Sequence, residues 1–308
     1  MSHERSIQLD IGICTYRRAS LDEALLSLAV LAVPAGTKLR IIVADNDKAP
    51  SARERVDALR PTIPHEIAYV HCPGANISIA RNTCLDNATG DFLAFIDDDE
   101  DASEEWLIEL LDTAETTGAD AVLGPVRSVY SSTAPDWMRE GDFHSTLPVW
   151  VGDEIRTGYT CNVLLRLASP HVAGRRFNLA LGRTGGEDTE FFSHMHAEGG
   201  KIAFAEKAYV YEPVTESRAD LAWLAKRRFR FGQTHGRLLQ EKSPGFKRLR
   251  QIGLASAKAL FCYAAAIGCV FSAVPRYRYA LRGVMHSGVV SGLLGVREIR
   301  QYGTAEAV

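Results

Sequence analysis

Asp97, Asp98 and Asp99 stand in a row directly after the apolar run Phe92-Leu93-Ala94-Phe95-Ile96. Carboxylates a few ångströms apart repel and raise one another's pKa unless a cation or a set of donors offsets them. A hard divalent ion is the usual remedy. Mg²⁺ takes only one or two protein carboxylates and fills its shell with water and substrate phosphate, so the run points to a phosphate-bearing ligand. A solvated acidic turn continuing through Glu100 and Asp101 is the plainer alternative, and the buried-strand pattern just ahead of the run argues against it. Two further polar sets end apolar runs in the same way. Thr15-Tyr16-Arg17-Arg18 follows the alternation of Ile7, Leu9, Ile11 and Ile13, and Asp45-Asn46-Asp47 follows the apolar residues 39–44.

These groups need elements to hold them. The alternation at Ile7 to Ile13 predicts a strand. Ser20, with Glu23 three residues on, reads as a capping box opening a helix that turns Leu21, Ala24, Leu25 and Leu28 inward. Strands are expected at 39–44, 67–70, 92–96, 121–126 and 160–165 and near 202–211. Helices are expected at 76–88, at about 187–197, and from Ser103 to Gly118 with Trp106, Leu107, Leu110, Leu111 and Ala114 inward. Strand and helix alternation predicts an α/β fold with a mostly parallel sheet and helices on both faces. Ligands in such sheets bind beyond the carboxyl ends of the strands, so the three polar sets converge on one rim.

At 308 residues the chain can bury one large domain, or one domain with an appendage. Its six cysteines form no C-x-x-C pair, which indicates neither a zinc ribbon nor a disulfide framework and fits reduced thiols in the cytosol. The opening Met-Ser-His-Glu-Arg-Ser lacks the order of a signal peptide, so export is not expected. The net charge of −3 conceals a division: residues 218–308 hold 16 Lys and Arg against 4 Asp and Glu, the rest 19 against 34. A basic region on an acidic body implies an anionic partner. Residues 252–274 carry one charge, Lys258, and are long enough to cross a bilayer, but are Ala-rich and interrupted by Gly253 and Gly268. Lys247, Arg248 and Arg250 precede them, and Arg276, Arg278 and Arg282 follow. Basic flanks on a moderately apolar helix suit an interfacial or shallowly inserted element on the cytoplasmic leaflet, with a true span or a core helix as alternatives. Nucleic acid would want the charges but not the apolar segment. The expected division is a catalytic domain at 1–217 and a helical, membrane- and acceptor-associating region at 218–308.

The order of motifs resembles family 2 glycosyltransferases of the GT-A fold. The matching residues are Cys14-Thr15-Tyr16-Arg17-Arg18, Val43-Ala44-Asp45-Asn46-Asp47, Ala80-Arg81-Asn82, Phe95-Ile96-Asp97-Asp98-Asp99-Glu100 and Gly185-Gly186-Glu187-Asp188. Within that family, residues 76–82, 156–162 and 225–230 closely resemble the succinoglycan-type glucosyltransferases of bacterial exopolysaccharide assembly. The resemblance implies a Rossmann-like GT-A sheet, a UDP-glucose donor, a polyprenyl-diphosphate-linked oligosaccharide acceptor, and a Mg²⁺ or Mn²⁺ cofactor at the cytoplasmic face of the inner membrane.

A nucleotide-sugar donor gains charge on its leaving group as the glycosidic bond breaks, and a metal bound there lowers the barrier. Asp99 is the expected ligand, with Asp97, Glu212 or His235 as further candidates, because the stretch Tyr209-Val210-Tyr211-Glu212-Pro213 lacks the histidine many relatives carry. By resemblance Asp97 and Asp98 face ribose and sugar hydroxyls, Asp45 the uracil or ribose, and Thr15, Tyr16 and Arg17 the base and diphosphate. Arg81 either anchors phosphate or carboxylates, or simply neutralises the acidic rim. Displacement at an anomeric carbon needs a base opposite the departing diphosphate. Asp188, opening a helix whose dipole favours the carboxylate, is the candidate, with Glu187 beside it. This predicts inversion, an α-linked donor giving a β-linked product. Arg227, Arg228 and Arg230 could pair with a lipid diphosphate, and Trp137 and Trp150 could form a sugar-stacking wall or simply pack. His194 and His196 have no third ligand at metal spacing and read as structural. A sugar nucleotidyltransferase would share the acidic α/β site but needs a Gly-rich loop where Cys-Thr-Tyr-Arg-Arg stands. A non-catalytic, metal-binding membrane protein is the other alternative.

Overall fold

Along the first strand Ile11 and Ile13 face one side while Gly12 and Cys14 face the other, and both sides are buried. Such a strand can only sit inside a sheet covered on both faces. The structure, a computed structural model, describes residues 6–242, 244–297 and 299. The opening residues 1–5 lie outside the described residues. In chain order the elements are β1 (Ile7–Thr15), α1 (Leu21–Ala29), β2 (Thr37–Asp45), α2 (Arg53–Leu59), β3 (Glu66–His71), α3 (Ile77–Asn87) and β4 (Phe92–Asp97). β5 (Asp101–Ala102), α4 (Trp106–Thr117), β6 (Ala121–Leu123), β7 (Val126–Tyr130), α5 (Asp136–Gly141), β8 (Trp150–Val151), β9 (Glu154–Ile155) and β10 (Asn162–Arg166) follow. The chain continues with α6 (Glu187–Ala197), β11 (Ile202–Phe204), β12 (Val210–Val214), α7 (Leu221–Lys242), α8 (Phe246–Gly268) and α9 (Ala273–Leu293).

The chain forms two compact units, Met1–Arg127 with Thr146–Glu212, and Ser128–Ser145 with Pro213–Arg300. The first holds a seven-stranded sheet in the order β11-β6-β10-β4-β1-β2-β3, mostly parallel, with β10 antiparallel to both neighbours. One face packs Ile11, Ile13, Ile41, Val43 and Ile96 against α1, α2 and α4; the other packs Ile42, Ala44, Leu93 and Phe95 with residues of α3 and α6. Register decides where the polar strand ends fall. Thr15 lies opposite Asp45, and Cys14 opposite Asp97, so β1, β2 and β4 finish at one rim. Running the other way, β10 begins at that rim with Asn162 opposite Ile96.

Local differences from the sequence reading have identifiable causes. Ser20 precedes α1, but its backbone is already helical (φ −61°, ψ −12°) and its side chain makes no capping bond, since a capping side chain needs an extended residue. Residue Glu105, not Ser103, precedes α4. Gly118 ends α4 in the left-handed region as expected. The strand expected near 202–211 is two strands, β11 and β12. The apolar stretch 252–274 is continuous in sequence, yet α8 ends at Gly268 and α9 begins at Ala273.

In the second unit α7 and α9 touch through their backbones. A Cβ on Gly236 would meet the carbonyl of Val289, and one on Gly288 the carbonyl of Phe229. Small residues are required where helix axes come this close. Gly236→Ala should therefore part the helices and cost about 1–3 kcal/mol. A thermal midpoint within a degree or so of wild type would show the contact to be slack.

Candidate active site

Asp97 ends β4, and the chain then turns so that Asp98 and Glu100 point back into protein, only 8% and 2% exposed. The turn is closed by Glu100, whose carboxylate accepts from the Asp97 N–H at 3.0 Å. Burial pushes the Asp97 carboxyl up to about 6, with Asp99, Glu212 and Asp188 adding to the rise and Arg81 opposing it. Asp98 is pushed up to about 7, by burial first and then by Asp99, against the pull of Thr15 and Arg18. Glu100 lies well above the carboxylate range, through burial and the charges of Asp97 and Glu212. Asp99 is the more open member, with Arg18 3.9 Å from its carboxylate.

The carboxylates of Asp97 and Glu100 and the thiol of Cys161, just ahead of β10, bring donor atoms within 4.8 Å of one another. Two crowded, desolvated carboxylates fit a hard divalent cation, which takes oxygen ligands. The thiol fits it poorly: burial raises its pKa well above the usual thiol value, and a protonated thiol is a weak ligand for a hard ion. Sequence reasoning passed over Glu100 and Cys161. Cys161 sits in the recognised 156–162 stretch, but only the antiparallel course of β10 carries it to the rim.

Beside Asp98 is a recess lined by Thr15, Tyr16, Arg18, Asn46 and Asn76. The Thr15 hydroxyl is buried there without a hydrogen-bond partner of good geometry among the described residues. Arg17 has φ 57°, rare for a residue with a side chain, and its Nε pairs with Asp47 at 2.9 Å. That pair holds the Asp47 carboxyl below its ordinary value. Asp45 is fully enclosed and accepts from Tyr69 Oη (2.6 Å) and the N–H groups of Ala52 (2.9 Å) and Asp47 (3.1 Å). Its carboxylate thus shapes the loop that walls the recess. The tyrosine's phenol is raised in turn, by burial and by Asp45.

Gly185 and Gly186, at φ 90° and 86°, turn the chain into α6 through backbone conformations that side chains disfavour. Glu187 is buried and ion-paired with the equally buried Arg81 of α3. Burial raises Glu187 and the guanidinium opposes it. Arg81 thus contacts a carboxylate, and its charge also reaches Asp97 on the acidic rim. Asp188 is half-buried, accepts from Thr189 N–H at 2.6 Å, and lies near enough to Asp97 for its charge to raise that carboxyl. The helix N-cap is Gly186, so capping is not the task of Asp188.

Trp150 is exposed on the β8–β9 hairpin. Trp137 lies in the second unit, packed on Tyr277 and Phe143 at 4.0 and 5.2 Å between ring centres. Arg227, Arg228 and Arg230 lie on α7, as does His235, whose imidazole is lowered by burial and by the Lys258 charge. A cationic neighbourhood of that kind disfavours a second cation.

Residues 10–179 match the family described as Glycosyl transferase family 2. A relative from Rhizobium meliloti strain 1021, the succinoglycan biosynthesis protein ExoM, is 63% identical over 98% of this chain and 97% of its own. The chain belongs to glycosyl transferase family 2. The Haloferax volcanii glucosyl-dolichyl phosphate glucuronosyltransferase is 27% identical over 72% of this chain and 74% of its own. Among solved structures, the mannosyltransferase PcManGT of Pyrobaculum calidifontis, in complex with GDP-Man and Mn²⁺, superposes with a TM-score of 0.62 at 16% identity, covering 96% and 89% of the two chains. That likeness shows the GT-A-like fold. The transferase is thus an inverting, metal-dependent enzyme, and the nucleotidyltransferase and non-catalytic readings fall away.

The acid-rich rim gives this transferase a pH signature. Asp97, Asp98 and Glu100 bind protons more tightly folded than unfolded. Their contribution to stability is complete below the unfolded carboxylate range and is lost as pH rises through about 6 to 7. The thermal midpoint of cation-free protein should fall between about pH 5 and about pH 7.5, and Asp98→Asn should flatten that fall. Added Mg²⁺ or Mn²⁺ should raise the midpoint most at the upper end. Identical slopes for wild type and Asp98→Asn in differential scanning calorimetry would contradict the assignment.

Proposed function

We propose that the transferase moves glucose from UDP-glucose, with inversion, onto a polyprenyl-diphosphate-linked oligosaccharide during assembly of a succinoglycan-like exopolysaccharide. The observation that carries the pathway is the 63% identity to the R. meliloti succinoglycan biosynthesis protein, spread over 98% of the chain. A lipid-linked acceptor is further supported by the H. volcanii relative, whose name gives a glucosyl-dolichyl phosphate. In this reading residues 1–217 carry transfer and 218–308 serve the membrane and the acceptor, with Ser128–Ser145 joining the latter.

Uridine and diphosphate enter the recess beside Asp98, where Thr15, Tyr16 and Arg18 line it, with Arg17 held next to them by Asp47 and Asp45 fixing the wall. Asp99, Asp97 and Glu100 would hold the cation, with Glu212 adding negative charge near them. When bound, the ion neutralises charge developing on the diphosphate. Asp188 takes the proton from the acceptor hydroxyl as its oxygen attacks the anomeric carbon on the face away from the diphosphate. Glu187, held by Arg81, fixes the start of α6 and so the reach of Asp188. Trp150 offers an exposed ring to the acceptor sugars; Trp137, Arg227, Arg228 and Arg230 serve its lipid end.

Helix α8 is long and apolar enough to cross a membrane, and only 17% of its apolar window is buried. Its exposed Leu260, Phe261 and Ile267 suit peripheral attachment to an anionic leaflet, on the cytoplasmic face where nucleotide sugars are made.

Asp188→Asn should lower kcat by about a thousandfold while UDP affinity, read by calorimetry, stays near wild type. Persistence of transfer at the normal rate would remove Asp188 as the base. EDTA should abolish label transfer, and in a panel of radiolabelled nucleotide sugars only UDP-glucose should label membrane lipid. Leu260→Glu with Phe261→Glu should shift the protein from the membrane to the soluble fraction, and unchanged sedimentation would count against attachment through α8.

A further inference from the structure

In the second unit three arginines from two helices are tethered to carbonyls of one short loop. Arg278 Nη2 donates to Gly141 O at 3.1 Å, Arg228 Nη2 to Phe143 O at 3.1 Å, and Arg227 Nη1 to His144 O at 3.4 Å. Tethered guanidiniums lose less freedom when they bind an anion than mobile ones do. Arg278 and Arg282 are exposed, one turn apart on α9, while Arg228 of α7 lies deeper. The set therefore has a floor and an open rim.

Its local field is strongly positive. Arg228 is pushed down to about 10 by burial and by the like charges of Arg227 and Arg282, opposed by the Tyr130 phenol. His144 is pushed down to about 4 by burial and by Arg227, Arg218 and Arg228, although Arg218 O at 2.9 Å from its Nε2 favours the proton. Asp142 lies on the same loop and its charge reaches Tyr130. Carbonyl dipoles offset a buried cation only in part, and a multiply charged anion would do so fully. Aromatic rings border the place: Trp223 stacks on His144, and Trp137 lies tilted against Tyr277.

The geometry points to a cradle for a lipid-borne diphosphate, built from Arg228, Arg282 and Arg278 with Arg227 at its side. The inference rests on the lipid-linked acceptor proposed above and adds to it Arg278 and Arg282 of α9 and the loop carbonyls of Gly141, Phe143 and His144 that hold the guanidiniums in place. A lipid rather than a free anion is the occupant because α9, which carries the rim, also packs along α8, whose Leu260, Phe261 and Ile267 are exposed, as is Phe271 in the connection between the two helices.

The test uses full-length protein with UDP and Mg²⁺ saturating, so that the donor recess is filled. Binding is compared on phosphatidylcholine vesicles carrying undecaprenyl diphosphate and on vesicles brought to the same surface charge with phosphatidylglycerol. Wild type should prefer the diphosphate vesicles by about tenfold or more, and Arg228→Gln with Arg282→Gln should lose that preference. Excess inorganic diphosphate should release wild type from the first vesicles. Equal binding to both vesicles, a preference kept by the double variant, or failure of inorganic diphosphate to compete would each overturn the cradle. If the double variant does not fold, Arg282→Gln with Arg278→Gln, both exposed on α9, carries the same test. In a transfer assay the variant should raise the acceptor KM about tenfold with kcat near wild type. Wild-type transfer with an unchanged variant KM overturns the cradle alone. No wild-type transfer to any diphosphate-linked acceptor overturns the acceptor reading as well.

Discussion

Arg81 sets the terms for the rest of the site. It is a buried cation on α3, paired with Glu187 at the start of α6, and its charge also restrains Asp97 at the end of β4. Three elements thus answer to one guanidinium. Its own position is fixed by a row of bonds between α3 and the segment leading to α6: Asn76 to Leu179, Ser78 to Asn178, and Asn82 to Phe177 in both directions. Asn76 also caps α3, accepting from Ser78 N–H at 3.0 Å. The loop carrying Gly185 and Gly186 is consequently anchored to the sheet before it turns into α6. Losing one partner of a buried ion pair leaves the other charge stranded in a poor solvent.

That anchoring separates two chemical tasks which carboxylates in one pocket would otherwise confuse. Asp97, Asp98 and Glu100 are drawn towards protonation by burial and mutual repulsion, so a divalent ion and protons compete for the same oxygens. Asp188 sits on another element, half-buried, with Thr189 accepted at its carboxylate. It is close enough to feel Asp97, yet held by a different backbone. The two sets of carboxylates, one on β4 and the turn after it and the other at the start of α6, are thus held by separate elements.

Much of this was legible in the chain because parallel strands buried on both faces are nearly pure apolar runs. Residues 39–44 and 92–96 could be read as strands, and the polar residues after them as a rim. The register that aligns Thr15 with Asp45 and Cys14 with Asp97 follows from that reading. Reversal of β10 left no local signal, because a strand's direction depends on the path of its connections rather than on its residues. Cys161 was accordingly missed as a neighbour of Asp97. Glu100 was not singled out as a site residue, since within five acids in a row nothing local marks which one turns inward, and it is the bond from Asp97 N–H that folds it there. The grouping of Ser128–Ser145 with the C-terminal helices is likewise a tertiary fact. Nothing in that segment's composition announces it.

Helix α8 reverses the ordinary logic of a soluble helix. Its buried stripe is Ala255, Ala259, Cys262 and Ala266, spaced by four, three and four residues, all of them small. Outward it presents Phe246, Leu249, Leu260, Phe261 and Ile267, from 66% to 82% exposed. In water this order forfeits the burial of about 1.5–3 kcal/mol that each large apolar side chain could bring. In a bilayer the penalty disappears, because acyl chains solvate large side chains, and small residues let helices approach. The α7–α9 contact follows the same rule, with Gly232 and Gly236 laid against Gly288 and Gly292. Lys247, Arg250 and Lys258 do not fit a helix buried in hydrocarbon along its whole length. Small residues inward, large ones outward and basic groups along one helix are compatible when the axis lies in the interface, where long cationic side chains reach the headgroups.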